Sequence, residues 1–257
     1  MSDQNIKIEY KEKYVAYLDV LGFKEKLKGS VADLECYFNT VIKELAFLKS
    51  LDSKRPLEYL LMSDAIIITF PVGQNALESL TELLIAISKI QYTLCKKGIW
   101  LRGAVSYGKI FLNDKHSVVV GPALVNAYLL EALAVNPRVI VDPKIIDFIG
   151  TDRTEFVRKI NAIGKIGQLN GYVLYEDKNS GWHSEFLKDA LFVDYLDILN
   201  TAVSTDHAEF LVSLRKSAYS DQRSFPKFRW VIEYATCTLR GGLADPDSVL
   251  LKEILKI

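Results

Sequence analysis

The stretch Tyr14-Val-Ala-Tyr-Leu-Asp-Val-Leu-Gly-Phe23 decides the fold, because it carries one carboxylate, Asp19, at the end of an otherwise apolar run. A short run this apolar is typical of a central strand that is buried on both faces. A carboxylate is costly to bury without a compensating charge, so Asp19 either reaches solvent at the strand end, pairs with a basic side chain or binds a cation.

The composition indicates a globular chain with a substantial core and no overall charge. Hydrophobic residues make up 49% of the 257 residues, and 32 Lys plus Arg balance 32 Asp plus Glu. A global field that attracts nucleic acid or an anionic membrane is therefore not expected. Cys36, Cys95 and Cys237 are odd in number and far apart, which favours a reduced protein, and no apolar run approaches the roughly 18 residues of a membrane span. We predict a soluble, cytoplasmic protein with neither a nucleic-acid nor a membrane partner.

The apolar periodicity predicts alternating strands and helices up to about residue 176, and helices after it. Strands are expected at 14–20, 57–62, 65–70, 99–105, 117–120, 138–141 and 171–175, with helices at 31–51, 76–96, 123–134, 143–149, 186–202, 207–219 and 229–239. We therefore predict an α+β fold in which helices cover one face of an antiparallel-rich sheet. The expected divisions are a lead at 1–12, a main domain at 13–176 and a C-terminal helical extension at 177–257.

A second lone carboxylate lies between two short apolar strands. Leu57–Met62 and Ala65–Phe70 leave only Ser63 and Asp64 between them, which predicts a tight hairpin with Asp64 at its tip. If this hairpin lies beside the Asp19 strand, the two carboxylates meet at one end of the sheet. Such oxygen ligands suit Mg²⁺ or Mn²⁺ held between protein and a triphosphate, whereas zinc prefers His and Cys. The alternative is that Asp64 fills a polar turn position and Asp19 caps the following segment.

Four segments of the chain resemble the signature segments of class III nucleotide cyclases, in the same order and at similar spacing. They are Asp19-Val-Leu-Gly-Phe23, Ser63-Asp64-Ala65, Leu101-Arg-Gly-Ala-Val-Ser-Tyr-Gly108, and Gly121-Pro-Ala-Leu-Val-Asn126 followed by Leu130-Glu131. The resemblance covers about Tyr14 to Tyr175. It implies a ferredoxin-like cyclase core, with 13–176 as the catalytic domain, in which the 3′-hydroxyl of a nucleoside triphosphate attacks the α-phosphate and releases pyrophosphate.

The resemblance also implies a metal site and a phosphate site around the first strand. Asp19, Asp64 and the carbonyl of Val20 would hold two divalent cations, Mn²⁺ or Mg²⁺. The amides near Gly22 and Phe23 would contact phosphates.

Three further polar residues match positions of the family. Arg102 matches an arginine that binds the terminal phosphates, and Asn126 matches an asparagine that orients the ribose across the interface of a homodimer with shared active sites. Lys165, in the glycine-containing stretch Ile163-Gly-Lys-Ile-Gly167, matches a phosphate lysine. By residue type alone, Arg102 is equally well a strand-edge ion pair, and Lys165 a solvated loop residue.

The chain departs from the family at three positions. Leu130 occupies the place of the transition-state arginine, and Leu60 and Val118 occupy the places of the two residues that read a purine. With Asn136-Pro-Arg-Val-Ile-Val141, these departures resemble the bacterial pyrimidine cyclases of Pycsar anti-phage defence. That resemblance implies UTP, or else CTP, as substrate and a separate effector that responds to the cyclic nucleotide. Tyr59 would then fill pocket space that a purine needs, or else lie as an ordinary aromatic on a strand face.

Several alternatives remain open at this level. The chain is alternatively a purine cyclase with a rearranged pocket, or a catalytically inactive module that senses nucleotide or dimerises. A synthase of cyclic oligonucleotides would place a second acidic residue at the hairpin tip, where this chain has Ser63. The bases Arg223, Lys227 and Arg229 lie among aromatic residues, and we interpret them as the exposed side of helices that pack through their aromatics.

Overall fold

A computed structural model of the chain describes residues 6–51, 57–166, 172–175, 190–220, 222–241 and 249–257. The strands are β1 (Lys11–Val20), β2 (Glu58–Met62), β3 (Ala65–Pro71), β4 (Leu101–Asn113), β5 (Val118–Val120) and β6 (Val139–Val141). The helices are α1 (Phe23–Leu27), α2 (Val31–Leu51), α3 (Ala76–Cys95), α4 (Pro122–Ala134), α5 (Pro143–Ile149), α6 (Arg153–Ile166), α7 (Ser204–Ala218), α8 (Phe225–Gly241) and α9 (Val249–Ile254). Of the predicted lead, residues 1–5 lie outside the described residues, and Lys11 already belongs to β1.

The sheet confirms the predicted position of the first strand. Its order is β2-β3-β1-β4-β5 with antiparallel neighbours, and β6 pairs with β4 in parallel. Strand β1 is thus flanked on both sides, and its residues from Tyr14 to Ala16 are buried. The α+β class with an antiparallel-rich sheet is confirmed.

Alternate residues of β1 face two different apolar layers. Tyr14, Ala16 and Leu18 lie in the larger core, which α2, α3 and α6 cover. Val15 faces the opposite side, where it shares a small core with Ala123 and Ala127 of α4. The prediction of helices on one face therefore holds for the larger core, while α4 covers the other face.

Local signals account for the two helices closest to the sheet. The side chain of Asn75 caps α3 by accepting a hydrogen bond from the backbone N–H of Glu78 at 3.3 Å. Pro122 is the first residue of α4, where its missing N–H costs nothing. A Cβ at Gly121 would lie 2.4 Å from the carbonyl oxygen of Lys109, so glycine there lets α4 begin directly on β4.

The region after residue 190 is not wholly helical. Phe192 and Val193 are extended and pair with Ile140 and Leu174, so the predicted helix at 186–202 is wrong for residues 190–196. The apolar run Ala190-Leu-Phe-Val193 adds to the sheet edge beside β6 because its backbone donates to and accepts from that strand. Residues 186–189 and the predicted boundary at 177 lie outside the described residues.

Helices α7, α8 and α9 build a second core that is joined to the sheet domain. The indole N–H of Trp100 donates to the hydroxyl of Ser217 at 2.8 Å, and Lys96 forms an ion pair with Asp206. The rings of Phe210 and Phe228 pack on Trp100 at centroid distances of 6.2 and 5.3 Å. No helix in the described ranges combines the length and the apolar character that crossing a membrane requires.

Helix α6 was not predicted, because Gly164 gives its sequence the appearance of a loop. In the structure a Cβ at Gly164 would lie 2.2 Å from the side chain of Val173, so the glycine permits close packing. The carbonyl oxygen of the Asn161 side chain accepts hydrogen bonds from the backbone N–H groups of Val173 and Leu174. The helix therefore holds the segment at 172–175 in place.

Candidate functional site

Asp19 and Asp64 meet at one end of the sheet, as expected for a hairpin that lies beside the Asp19 strand. Asp19 lies opposite Ala65 of the hairpin, and the backbone N–H of Val20 donates to the carbonyl of Asp64 at 3.2 Å. The hairpin itself turns at Ser63 (φ 58°) and Asp64. Burial raises the pKa of Asp19, the Arg102 guanidinium opposes that shift, and the negative charge of Asp64 adds to it. The two carboxylates are thus close enough for their charges to interact.

Arg102 is held next to Asp19 by strand register. It lies directly opposite Asp19 on β4, and its Nε and Nη2 are each 3.1 Å from Oδ2 of Asp19. A Cβ at the following residue, Gly103, would lie 2.3 Å from the carbonyl of Tyr17, so glycine allows the two strands to approach. The ion pair expected of Arg102 at the strand edge is therefore observed, and its contact with phosphates stays a prediction.

A third carboxylate, Glu131 of α4, was not assigned a role from the sequence. It is buried and forms an ion pair with Arg102, yet its Oε1 accepts no hydrogen bond from any described residue. Burial raises the pKa of Glu131, Arg102 opposes the shift, and Asp19 adds to it. The available signal was that Glu131 is the single charged residue of Pro122–Ala134.

A buried hydroxyl also lies near the two aspartates. Tyr37 of α2 packs against Phe23 with ring centroids 5.4 Å apart, and its hydroxyl has no hydrogen-bond partner among the described residues. Burial raises the pKa of Tyr37, and the charges of Asp64 and Asp19 add to this shift. The hydroxyl therefore stays protonated, as a donor. Tyr37 was not assigned a role from the sequence.

The residues at this end of the sheet fit part of a divalent-cation site. No group of three or more His, Cys, Asp or Glu in the described ranges is placed to hold a metal, so a cage made by the protein alone is absent from them. Two carboxylates supply only some of the ligands that Mg²⁺ requires, and Mg²⁺ commonly takes the others from water and substrate phosphates. The donor set of Asp19 and Asp64 therefore fits a cation shared with a phosphorylated ligand.

The turn after β1 brings Gly22 and Phe23 next to this pair. Leu21 donates its backbone N–H to the carbonyl of Trp100 at 2.9 Å, and Gly22 adopts a left-handed conformation (φ 74°). Gly22 is exposed while Phe23 is buried, so the chain enters α1 at the edge of the group formed by Asp19, Asp64, Arg102 and Glu131, which we call the carboxylate cluster.

The remaining predicted site residues lie on several different elements and faces. Asn126 is half-exposed on α4, on the same helix as Glu131. Leu60 packs in the small core on the α4 face, whereas Tyr59 packs on the opposite face, against the core under α2 and α3. Lys165 is exposed in the last turn of α6 rather than in a loop, and its ammonium lies 4.4 Å from the centroid of the Tyr172 ring. The structure does not bring Tyr59 to the face that carries Asp19.

Leu130, at the position where the resembled family has an arginine, packs against the second core, to which β4, α4 and β6 contribute as well as the C-terminal helices. Leu21 contacts the same core. The place of that arginine is thus occupied by an apolar side chain that packs on this second core.

Comparisons with known proteins found similar solved structures and no sequence match. No family model and no curated protein sequence matches the chain. The guanylate cyclase domain of RhGC from Catenaria anguillulae, solved with GTP, is 14% identical; the alignment covers 56% of this chain and 85% of that chain, with a TM-score of 0.45. The adenylyl cyclase CyaB from P. aeruginosa is 12% identical over 72% of this chain and 94% of that chain, with a TM-score of 0.42.

A third similar structure is a guanylyl cyclase domain of the RhoGC fusion protein from the aquatic fungus Blastocladiella emersonii, described as a non-canonical dimer. It is 15% identical over 55% of this chain and 83% of that chain, with a TM-score of 0.44. Because all three TM-scores lie below 0.5, a shared function does not follow from these similarities.

Proposed function

We propose that this chain is a nucleotide cyclase, a lyase that converts a nucleoside triphosphate into its 3′,5′-cyclic monophosphate and pyrophosphate. The observation that carries the proposal is that Asp19 and Asp64 meet at one end of the sheet, with Arg102 opposite Asp19 in register. The sequence had placed the same three residues in segments that resemble cyclase signatures, so the geometry and the motifs support the same chemistry.

Asp19, Asp64 and the carbonyl of Val20 would hold two divalent cations, Mn²⁺ or Mg²⁺. When bound, such cations neutralise triphosphate charge and favour ionisation of the attacking 3′-hydroxyl. The protein's own groups have positioning roles. Arg102 orients the carboxylate of Asp19 through its contacts with Oδ2, and it carries a positive charge to the edge where phosphates would lie. The amides near Gly22 and Phe23 are proposed to contact those phosphates.

We infer a pyrimidine substrate, UTP ahead of CTP. Leu60 packs on the same face of the sheet as Asp19, and neither it nor Val118 offers a hydrogen bond to a purine edge. Asn126 is proposed to orient the ribose. Tyr59 and Lys165 are candidates for substrate contacts from the sequence alone. In the structure, Tyr59 packs on the opposite face of the sheet and Lys165 lies over the ring of Tyr172.

The test is to incubate purified protein with each of the four ribonucleoside triphosphates and Mn²⁺, and to identify products by chromatography and mass spectrometry. We expect cyclic UMP, or else cyclic CMP, together with pyrophosphate. Cyclic AMP or cyclic GMP would retain the cyclase and reject the pyrimidine assignment. Absence of a cyclic product from all four substrates would reject both.

We further propose that the enzyme is a homodimer whose two sites are each shared between subunits. Helix α4 exposes an apolar face that no described residue covers, formed by Val125, Tyr128, Leu129 and Leu133. Asn126 lies on the same helix. A self-complementary patch of this kind suits a two-fold interface.

Subunit mixing tests the shared site. The variants Asp19→Ala and Asn126→Ala should each be inactive alone, while their mixture should regain product formation, because a mixed dimer contains one site with both residues intact. A mixture as inactive as its components would show that each site is contained within one subunit.

The second candidate function is a catalytically inactive module that binds nucleotide or dimerises. Leu130 favours it, because an apolar contact stands where the resembled family has a cation. Calorimetry that shows UTP binding with Mn²⁺, in a preparation that forms no cyclic product, would support this module. Product formation that is lost in Asp64→Ala would exclude it.

The role as a source of second messenger in anti-phage defence is proposed from the sequence resemblance alone. Cells that carry this chain and its effector should accumulate the cyclic nucleotide after phage infection, and should lose protection when Asp64 is replaced by Ala. Unchanged protection in the variant would separate the chain from such a pathway.

A further inference from the structure

The first turn of α8 is fixed against the end of the sheet that carries Asp19. Phe228 packs edge to face on Trp100 with ring centroids 5.3 Å apart. The carbonyl of Trp100 accepts a hydrogen bond from the backbone N–H of Leu21, two residues after Asp19, and Arg102 follows Trp100 by two positions. The residue before Phe228 is Lys227, so a buried anchor holds this lysine near the ends of β1 and β4.

The charge of Lys227 acts on the carboxylate cluster. Burial is the largest influence on the pKa values of Asp19 and Glu131 and raises both, while the positive charge of Lys227 lowers both. Lys227 is half-buried, and its ammonium forms no ion pair or hydrogen bond with any described residue. Two positions further on, Arg229 is exposed and pairs with Glu233 along the same helix. Lys227 and Arg229 therefore face different surroundings.

The neighbouring cation is already engaged. The guanidinium of Arg102 contacts both Asp19 and Glu131. A triphosphate would add several negative charges to a cluster that already contains Asp19, Asp64 and Glu131, and phosphate oxygens are commonly met by lysine ammonium groups. Lys227 lies beside the cluster with its ammonium uncommitted among the described residues.

The core that α8 helps to form also takes up the leucine that replaces the family arginine. Leu130 and Leu21 both pack into the core that α8 helps to form. An arginine at position 130 would have to place its charge against that apolar core, whereas leucine packs on it.

We propose that Lys227 is a substrate-binding residue whose ammonium contacts the phosphate oxygens of the nucleoside triphosphate, so that the C-terminal helical region completes the site. This inference rests on the proposed cyclase function. The region after residue 190 would then take a direct part in substrate recognition. Lys227 would supply a positive charge to a site that has Leu130 in place of the family arginine.

The test is isothermal titration of the full chain with UTP and with UMP, and with ATP and AMP in parallel, each in the presence of Mn²⁺. Lys227→Met should weaken triphosphate binding by about tenfold or more, because a charge-assisted contact is lost. Binding of the monophosphate should change much less, since it carries fewer phosphate oxygens. Lys227→Arg should retain most of the triphosphate affinity.

Two controls separate substrate binding from a structural role. Arg229→Met removes a solvent-facing base from the same helix and should leave both affinities unchanged. If Lys227 serves only to balance Glu131, the double variant Lys227→Met with Glu131→Gln should recover triphosphate affinity, and that recovery would overturn the proposal. Thermal unfolding without nucleotide shows whether each variant is folded.

The outcomes distinguish the role of Lys227 from the proposed cyclase function. If the wild type and Lys227→Met bind the triphosphate equally well, the role of Lys227 is rejected and the cyclase proposal stands. Wild-type protein that binds no nucleoside triphosphate would reject both.

Discussion

Glu131 is the most deeply buried carboxylate of the cluster around Arg102, and its environment disfavours its charge. Burial raises its pKa above the ordinary value of 4.5, and Asp19 acts in the same direction, while Arg102 and Lys227 only partly oppose them. Because the folded protein favours the protonated form, this group contributes stability below pH 4.5 that is lost as the pH rises through its folded-state pKa. At neutral pH, Glu131 therefore holds Arg102 in place at a cost in stability.

The variant Glu131→Gln should accordingly be more stable than the wild type at pH 7, and the difference should shrink below pH 4.5. Urea unfolding followed by circular dichroism at both pH values measures this. Glu253→Gln is the control with the opposite sign, because Lys256 and Arg215 lower the pKa of Glu253, so this variant should lose stability at pH 7. A Glu131→Gln variant that is less stable at pH 7 than at pH 4, relative to wild type, would contradict the account.

At the scale of secondary-structure elements, the contact between β1 and β4 sets the geometry of the site. Gly103 follows Arg102, and a Cβ there would lie 2.3 Å from the carbonyl of Tyr17 and 3.0 Å from Cα of Leu18. These are backbone atoms, so relief requires the strands to separate. Separation would move Arg102 away from Asp19, since the two residues face each other across this pair.

We therefore expect Gly103→Ala to lower the free energy of unfolding by about 2 kcal/mol or more, and to reduce any nucleotide affinity with it. Chemical denaturation measures the first effect and calorimetry the second. Gly150→Ala is the matched control: its Cβ meets open space, and only its left-handed conformation (φ 74°) adds a cost, of roughly 1 kcal/mol. Equal losses in both variants would show that crowding between the strands is unimportant.

The exposed face of α4 is the second element with a testable role. Leu129→Glu places a charge in the middle of the proposed dimer interface and should convert a dimer into a monomer, with loss of shared-site activity. Light scattering coupled to size exclusion measures the mass. Val212→Glu alters an equally exposed residue of α7, 68% exposed against 60% for Leu129, and should leave the mass unchanged. A dimer that survives Leu129→Glu would require a different interface.

At the scale of the whole molecule, the sequence predicted what local patterns determine. The apolar run around Asp19 and the two-residue turn at Ser63 and Asp64 were sufficient for the central strand and the hairpin, because both depend on neighbouring residues. Their juxtaposition followed once the hairpin was placed beside β1. Lone charged residues in apolar surroundings were the informative signal. Glu131 is also a lone charge in an apolar helix, but the sequence analysis assigned it no role.

Long-range contacts account for what the sequence could not show. The pairing of Phe192 with Ile140 joins residues far apart in the chain, and its apolar run fits a helix as well as a strand. Tyr59 and Leu60 lie in a strand with little polar alternation, so the pattern did not indicate which of them faces Asp19. Lys227 lies in the first turn of α8, next to Phe228, which packs on the distant Trp100. From the sequence alone, Lys227 was expected to be exposed to solvent.

The central claim is that the Asp19 and Asp64 pair supports metal-dependent cyclisation, and Asp19→Ala tests it most directly. The variant should stay folded, because Arg102 keeps its partner Glu131. With Mn²⁺ and the four ribonucleoside triphosphates, wild type and the exposed-residue control Asp147→Ala should release cyclic nucleotide, while folded Asp19→Ala releases none above background. Undiminished product from Asp19→Ala would show that the metal site is elsewhere and would contradict the account.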